Sequence, residues 1–192
     1  MIDEFLKAFF AIFVIMDVLG NIPIFWSLTK KLSREKKIIS VNKALTIASV
    51  MLIVFLFLGK NLLDFFGISI DSFRIAGGII ILIVGLEMVL GLRIRERRVE
   101  KYEFAIVPLA TPLITGPGVI TTVILLVDTV GILITLIASI LNLFITWVAL
   151  RYSDHLYKFL GRQGADFLSR VMGLILASLA VEFITTGWKA ML

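Results

Sequence analysis

Six apolar runs, each about twenty residues long, constrain the fold of this chain most strongly. A helix of that length crosses the ~30 Å hydrocarbon core of a bilayer, and a spanning backbone satisfies its hydrogen bonds only in helices or closed barrels. We therefore predict an all-α integral membrane protein with one transmembrane domain over residues 1–192. The first run lacks the basic start and the small-residue cleavage signal of a signal peptide, so we expect it to be retained. The predicted spans are 4–28, 44–66, 73–92, 104–127, 130–150 and 171–191.

The basic residues are distributed unevenly over the connections between these spans. All of the 19 except Lys7, Lys60, Arg74 and Lys189 lie in connections one, three and five. Basic loops are retained in the cytoplasm, so the pattern predicts a protein of the cytoplasmic (plasma) membrane with both termini outside. Orientation and the anionic lipid bilayer thereby account for the net charge of +5, and nucleic-acid binding is disfavoured.

The residues that most hydrolases and metalloenzymes depend on are scarce. The sequence has no cysteine and one histidine, His155, which falls among charged residues in the fifth connection. Thiolate nucleophiles and thiolate metal sites are therefore excluded, and no serine–histidine or histidine–glutamate arrangement replaces them. We predict that the protein is not an enzyme and that it needs no metal and no cofactor.

Two of the apolar runs are interrupted by polar and helix-breaking residues where a lipid-facing helix would carry leucine. The interruptions are Asp17–Pro23 in span one and Thr111–Gly118 in span four. Proline removes a backbone donor and clashes with the preceding turn, so we predict that helices 1 and 4 are broken. All four prolines lie in these two spans, at Pro23, Pro108, Pro112 and Pro117.

The two halves of the sequence resemble each other. Around the start of span three the sequence reads Arg74–Gly78, and the span reaches Glu87. Around the start of span six it reads Arg170–Leu174, and that span reaches Glu182. Three spans in each half place the second half upside down relative to the first. Inverted repeats with interruptions at corresponding positions are typical of secondary transporters. The predicted repeats cover about 1–92 and 104–192.

The interruptions suggest a binding site for a small zwitterion. Asn21 and Thr115 each precede a proline by two residues, which suits the cap of a new half-helix. In inverted halves the two half-helix N-termini meet near the midplane and attract a carboxylate, while freed carbonyls suit an ammonium group. Gly20, Gly116 and Gly118 allow a ligand close to the backbone. The alternative interpretation is that these residues merely kink two helices.

Three carboxylates lie inside the predicted spans, at Asp17, Glu87 and Glu182. Carboxylates are costly in hydrocarbon and usually face an interior cavity. We expect each of them either to couple transport to an ion, by relaying a proton or binding sodium, or to pair with a neighbouring polar group. Asp17 is the leading candidate because it adjoins the first interruption.

Four motifs resemble one family. The sequences DVLGNIPIF, RIAGG, TPLITGPG and RVMGLILA occur in order and are similar to those of the MarC family of six-span membrane proteins, which includes SnatA-type transporters of small neutral amino acids. The resemblance implies a fold related to LysE-type exporters and a substrate such as glycine or alanine, moved by an ion gradient. Carried onto this sequence, it points to Gly20, Asn21, Pro23, Thr115, Gly116, Pro117 and Gly118.

These patterns together predict a secondary transporter of small neutral amino acids (the glycine, alanine and serine class), coupled to protons or sodium as in symport. The alternatives are an exporter of amino acids or other small metabolites and a passive channel. A homo-oligomer remains open, as do the direction of transport and the coupling ion.

Overall fold

The computed structural model describes residues 2–91 and 114–192. Within these ranges the ordered elements are all α-helices. The last helix has an interruption at Gly161, whose φ of 64° is readily adopted by glycine. The helices are α1 (Ile2–Ile15), α2 (Val18–Thr29), α3 (Arg34–Phe65), α4 (Ile70–Leu90), α5 (Pro117–Val130), α6 (Ile132–Arg151) and α7 (Ser153–Met191).

Within the described residues, five segments are long and apolar enough to cross a membrane. The helix α5, with 14 residues, is apolar but shorter than a full span. The predicted fourth span, 104–127, begins outside the described residues, so only its second part can be compared. The five candidate spans are Ile2–Pro23, Arg34–Phe65, Ile70–Leu90, Ile132–Arg151 and Asp166–Met191.

The helix starts that follow connections one and five differ from the sequence prediction. The second span was predicted from residue 44, but α3 begins at Arg34 because the Ser33 hydroxyl accepts a hydrogen bond from the Lys36 amide at 3.4 Å. With 32 residues, α3 is about 48 Å long and extends beyond the hydrocarbon core. The sixth span was predicted from residue 171, but α7 is already helical from Ser153.

The helices α4 and α7 pack as a close antiparallel pair. A Cβ atom added to Gly78 would lie 2.9 Å from the Ala180 carbonyl oxygen, and one added to Gly85 would lie 2.9 Å from the Gly173 carbonyl oxygen. Small residues at such contacts let two membrane helices approach backbone to backbone. Gly78 and Gly85 therefore belong to the packing surface of α4.

The Asp128 end of the bundle is defined by charged side chains of α3, α4 and α5. Asp128 accepts a hydrogen bond from Lys60 Nζ at 3.4 Å and lies 3.8 Å from an Arg74 nitrogen. Arg74 also pairs with Asp71, one turn away, at 3.2 Å. The C-termini of α3 and α5 and the N-terminus of α4 therefore lie at this end.

The Trp26 end, opposite, is defined by aromatic and charged contacts. The rings of Trp26 and Tyr157 stack with centroids 4.0 Å apart, and Trp147 Nε1 donates to Asn42 at 2.9 Å. Lys37 Nζ pairs with Asp154 at 2.6 Å. The C-termini of α2 and α6 and the N-termini of α3 and α7 therefore meet here.

Candidate functional site

The first predicted span is divided into two helices at Met16 and Asp17. Asp17 has φ 44° and ψ 51°, the left-handed conformation, and among the described residues it is the non-glycine position with positive φ. This conformation costs an L-residue about 1–2 kcal/mol, and aspartate and asparagine tolerate it best. The interruption therefore depends on a residue type that can adopt this backbone and also carries a carboxylate.

The Asp17 carboxylate caps α2. Its Oδ1 atom accepts a hydrogen bond from the Gly20 amide at 3.1 Å. The prediction that Asn21 caps the second half-helix is therefore wrong, because α2 begins at Val18 and Asn21 already lies in its second turn. Asn21 instead donates from Nδ2 to the Met16 carbonyl oxygen at 2.8 Å, which satisfies a carbonyl freed by the interruption.

Pro23 does not start a helix. It lies inside α2, half-buried, and the turn that precedes it remains helical. Since proline has no amide hydrogen, the Leu19 carbonyl loses its usual helical donor. The prediction that Pro23 belongs to the first turn of a new half-helix is therefore wrong. The proline lies about one turn after the observed start of α2.

Gly20 is required by the position of the Asp17 carboxylate. A Cβ atom added to Gly20 would lie 2.6 Å from Asp17 Cγ. We expect Gly20→Ala to displace the carboxylate and to remove the cap, lowering the free energy of unfolding by about 1–2 kcal/mol. Thermal unfolding of the purified protein measures this effect. The control is Gly164→Ala, where the added atom would meet Leu160 Cβ at an ordinary 3.8 Å. Equal melting temperatures for the two variants would contradict the assignment.

The second interruption ends where α5 begins at Pro117. The N-cap residue is Gly116, which has no side chain to cap the helix, so the prediction that Thr115 is the cap is wrong. Pro117 stands at the first helical position, one position earlier in the helix than a Thr115 cap would place it. Thr115 is buried, and its Oγ1 atom has no hydrogen-bond partner among the described residues. The remainder of the stretch, Thr111–Leu113, lies outside the described residues.

The two helix starts lie close together in the middle of the bundle. A Cβ atom added to Gly118 would lie 3.1 Å from Ile15 Cδ1 and 3.4 Å from Ile81 Cγ1. Ile81 is central in α4, and Ile15 is the last residue of α1. From this level α2 runs to the Trp26 end and α5 to the Asp128 end. The two helices therefore start at one depth and run in opposite directions. The positive ends of their dipoles lie together at that depth.

The two N-termini differ in what they can bind. The first amides of any helix lack an intrahelical partner, and on α2 one of them is already bound by the Asp17 carboxylate. On α5, the amides of Gly118 and Val119 have no side-chain cap from the described residues, and the buried Thr115 hydroxyl precedes Gly118 by three residues. The start of α5 therefore keeps free amide donors, whereas the Asp17 carboxyl group already occupies the start of α2.

The remaining predicted carboxylates lie apart from each other along the bundle. Glu87 is in the last turn of α4, near Gly173, and the exposed Glu182 lies across from Gly78. Nine residues separate 78 from 87, which is about 13 Å along a helix. Among the residues that the structure describes, no three acidic, histidine or cysteine side chains form a group that could hold a metal ion.

Further buried polar atoms lie in the core of the bundle. Asn142 donates from Nδ2 to the Phe9 carbonyl at 3.1 Å and so contacts a neighbouring helix. Its Oδ1 atom, Ser139 Oγ and Thr122 Oγ1 are buried without a partner in the described part of the chain. Sequence spacing does not distinguish Thr122 from Thr121, whose hydroxyl donates to the Pro117 carbonyl of its own helix at 2.9 Å.

Comparison with known proteins identifies the family. The family model for the "MarC family integral membrane protein" matches residues 2–192. A UPF0056 membrane protein of Methanocaldococcus jannaschii is 36% identical over 202 residues, covering 100% of this chain and 98% of the relative. A UPF0056 membrane protein of Archaeoglobus fulgidus is 37% identical, with 95% and 91% covered. One of Pyrococcus horikoshii is 38% identical, with 98% and 96% covered.

No solved structure matches the chain. The family match spans both interruptions and the glycines of the α4–α7 contact, so it includes every residue from which the candidate site is built. The chain therefore belongs to the MarC family of integral membrane proteins.

Proposed function

We propose that this protein is a secondary active transporter of small neutral amino acids across the cytoplasmic membrane, with both termini outside. The observation that carries the proposal is the contact between Ile15 and Gly118, where α1 ends beside the start of α5. Discontinuous helices that meet at mid-depth are the usual substrate site of secondary transporters. Proton or sodium coupling, as in symport, belongs to the same proposal.

The packing of the helices supports two inverted repeats with broken helices 1 and 4. In the repeat, α3 corresponds to α6 and α4 to α7, while α5 is the second part of the helix that corresponds to α1 and α2. Equivalent pairs pack together: α2 contacts α6, and α5 contacts α3. The central pair, α4 and α7, is antiparallel, as inversion requires.

The chemistry of the site favours a small zwitterion. The C-terminal carbonyls of α1 carry the negative end of a helix dipole and suit an ammonium group. The uncapped start of α5, with Thr115, Gly116 and Gly118, suits a carboxylate. A Cβ atom added to Gly118 would crowd Ile15, so there is little room for a large side chain. These features favour glycine, alanine and serine.

Asp17 is our candidate for the residue that binds the coupling ion. It lies at the interruption as the cap of α2, so an ion that binds its carboxylate acts on the start of that helix. Gly20 and Asn21 hold the carboxylate and the Met16 carbonyl in place, and Pro23, which has no amide hydrogen, leaves the Leu19 carbonyl without its helical donor. Glu87 and Glu182 remain candidate coupling residues.

Uptake of radiolabelled glycine into proteoliposomes tests the proposal. We expect saturable accumulation above the external concentration when a proton or sodium gradient is imposed. Unlabelled alanine and serine should compete, whereas propionate and glycine ethyl ester, which each lack one charge, should not. Asn21→Leu leaves the Met16 carbonyl without its donor and should reduce uptake at least tenfold, while Gly164→Ala retains it.

The same assay separates the alternatives. A passive channel carries glycine without saturation and without accumulation, and an exporter moves it only from preloaded vesicles. If neither the original protein nor Gly164→Ala moves any amino acid in either direction, the proposal is overturned.

A further inference from the structure

A basic cavity lies at the Trp26 end, apart from the site between the helix starts. Its volume is about 510 Å³, within the range of sites that hold small ligands. Along α2, Thr29 at the cavity is eleven residues from Val18, which is about 16 Å. The cavity is lined by three segments: the end of α2, the start of α3 and the junction of α6 with α7.

The charges around this cavity are predominantly positive. Lys30, Arg34, Lys37 and Arg151 line it, against the single carboxylate of Asp154. Lys37 Nζ pairs with Asp154 at 2.6 Å. Among the described residues, none of the other three cations has an ion pair. In the described part of the chain, three cations from three different segments therefore line one space without a carboxylate partner.

Two of these cations are held by aromatic rings. Lys30 Nζ lies 5.5 Å from the centroid of the Trp26 ring, and Arg151 Cζ lies 5.0 Å from that of Trp147. Such contacts fix a cation without neutralising it. Tryptophans at helix ends also lie at the level of lipid headgroups, where phosphate groups are found.

We propose that this cavity is a binding site for a phosphate-bearing anion. Arginine presents a planar fork of donors that matches phosphate oxygens, and Arg34 and Arg151 approach the cavity from different helices. The lining also contains Leu32, Ile38 and Val41, which can contact the glycerol and acyl region of a lipid. The phosphate comes either from an anionic lipid headgroup or from a soluble anion.

Titration of delipidated protein in a neutral detergent tests the site. The probes are dihexanoyl phosphatidylglycerol, inorganic phosphate and dihexanoyl phosphatidylcholine, and the readouts are the melting temperature and tryptophan fluorescence. We expect phosphatidylglycerol, inorganic phosphate or both to bind, and the double variant Arg34→Gln, Arg151→Gln to raise the midpoint at least tenfold. A response to phosphatidylglycerol alone identifies a lipid site, and a response to inorganic phosphate identifies a soluble anion.

The matched control is Lys36→Gln, Lys43→Gln. It removes the same charge from the same end of the molecule, but both side chains are exposed and neither lines the cavity. Its midpoint should stay within about twofold of the original protein. If the arginine double variant does not fold, the single variant Arg34→Gln, whose side chain is exposed, should still raise the midpoint about threefold or more. Equal binding of phosphatidylcholine, or equal midpoints for the arginine and lysine variants, would overturn the site.

Discussion

Asp17→Asn is expected to abolish gradient-driven accumulation of glycine while leaving the fold intact. Asparagine tolerates the left-handed backbone that this position adopts, and its side-chain oxygen can still accept from the Gly20 amide. The substitution therefore removes a charge and little else. We expect accumulation to fall at least tenfold, because the coupling ion loses its carboxylate. Uptake into proteoliposomes under an imposed gradient measures this change.

Binding of glycine separates coupling from substrate contact. We expect the Kd of glycine to change less than about threefold in Asp17→Asn, since the proposed substrate contacts are the α1 carbonyls and the start of α5. An equal loss of binding and accumulation would give Asp17 a direct ligand role, and unchanged accumulation would remove it from coupling. Asp17→Ala is the contrasting variant, because it also loses the cap and should lower the free energy of unfolding by about 1–2 kcal/mol.

The position of the first interruption shows how far the sequence determines the site. The stretch Asp17–Pro23 was identified correctly, because polar and helix-breaking residues are unusual in an apolar run. The capping residue was assigned wrongly, since aspartate and asparagine cap helices equally well and both occur in the stretch. The left-handed backbone of Asp17 distinguishes them, and that conformation arises in the packed bundle, where Met16, Val18 and Ile22 are all buried.

The depth of a charged side chain along the bundle was harder to predict from the sequence than the presence of that residue in a span. Glu87 and Glu182 occupy similar places in the two halves of the sequence, yet the antiparallel packing of α4 and α7 separates them along the bundle. The basic cavity illustrates the same limit. Charge counting predicted that the cations share one side, but their convergence depends on where α3 and α7 begin, and both begin earlier than predicted.

Gly85→Ala is expected to destabilise the protein strongly, because the added methyl group would meet the backbone of α7. An added Cβ atom would lie 2.8 Å from the Ala177 amide nitrogen and 2.9 Å from the Gly173 carbonyl oxygen. Both atoms belong to the backbone of α7 and cannot rotate away, so the two helices must separate. Overpacking of this kind costs about 1–3 kcal/mol, and here we expect the upper part of that range.

The contact is reciprocal, which gives the experiment a second arm. A Cβ atom added to Gly173 would lie 2.8 Å from the Gly85 carbonyl oxygen, so Gly173→Ala should cause a similar loss. Because both variants separate the same two backbones, the double variant should lose clearly less than the sum of the single losses. Thermal unfolding in detergent measures all three, with Gly164→Ala as the control that should change little. Additive losses would mean that α4 and α7 do not meet at these two glycines, and the antiparallel α4–α7 pair would then lack this backbone contact.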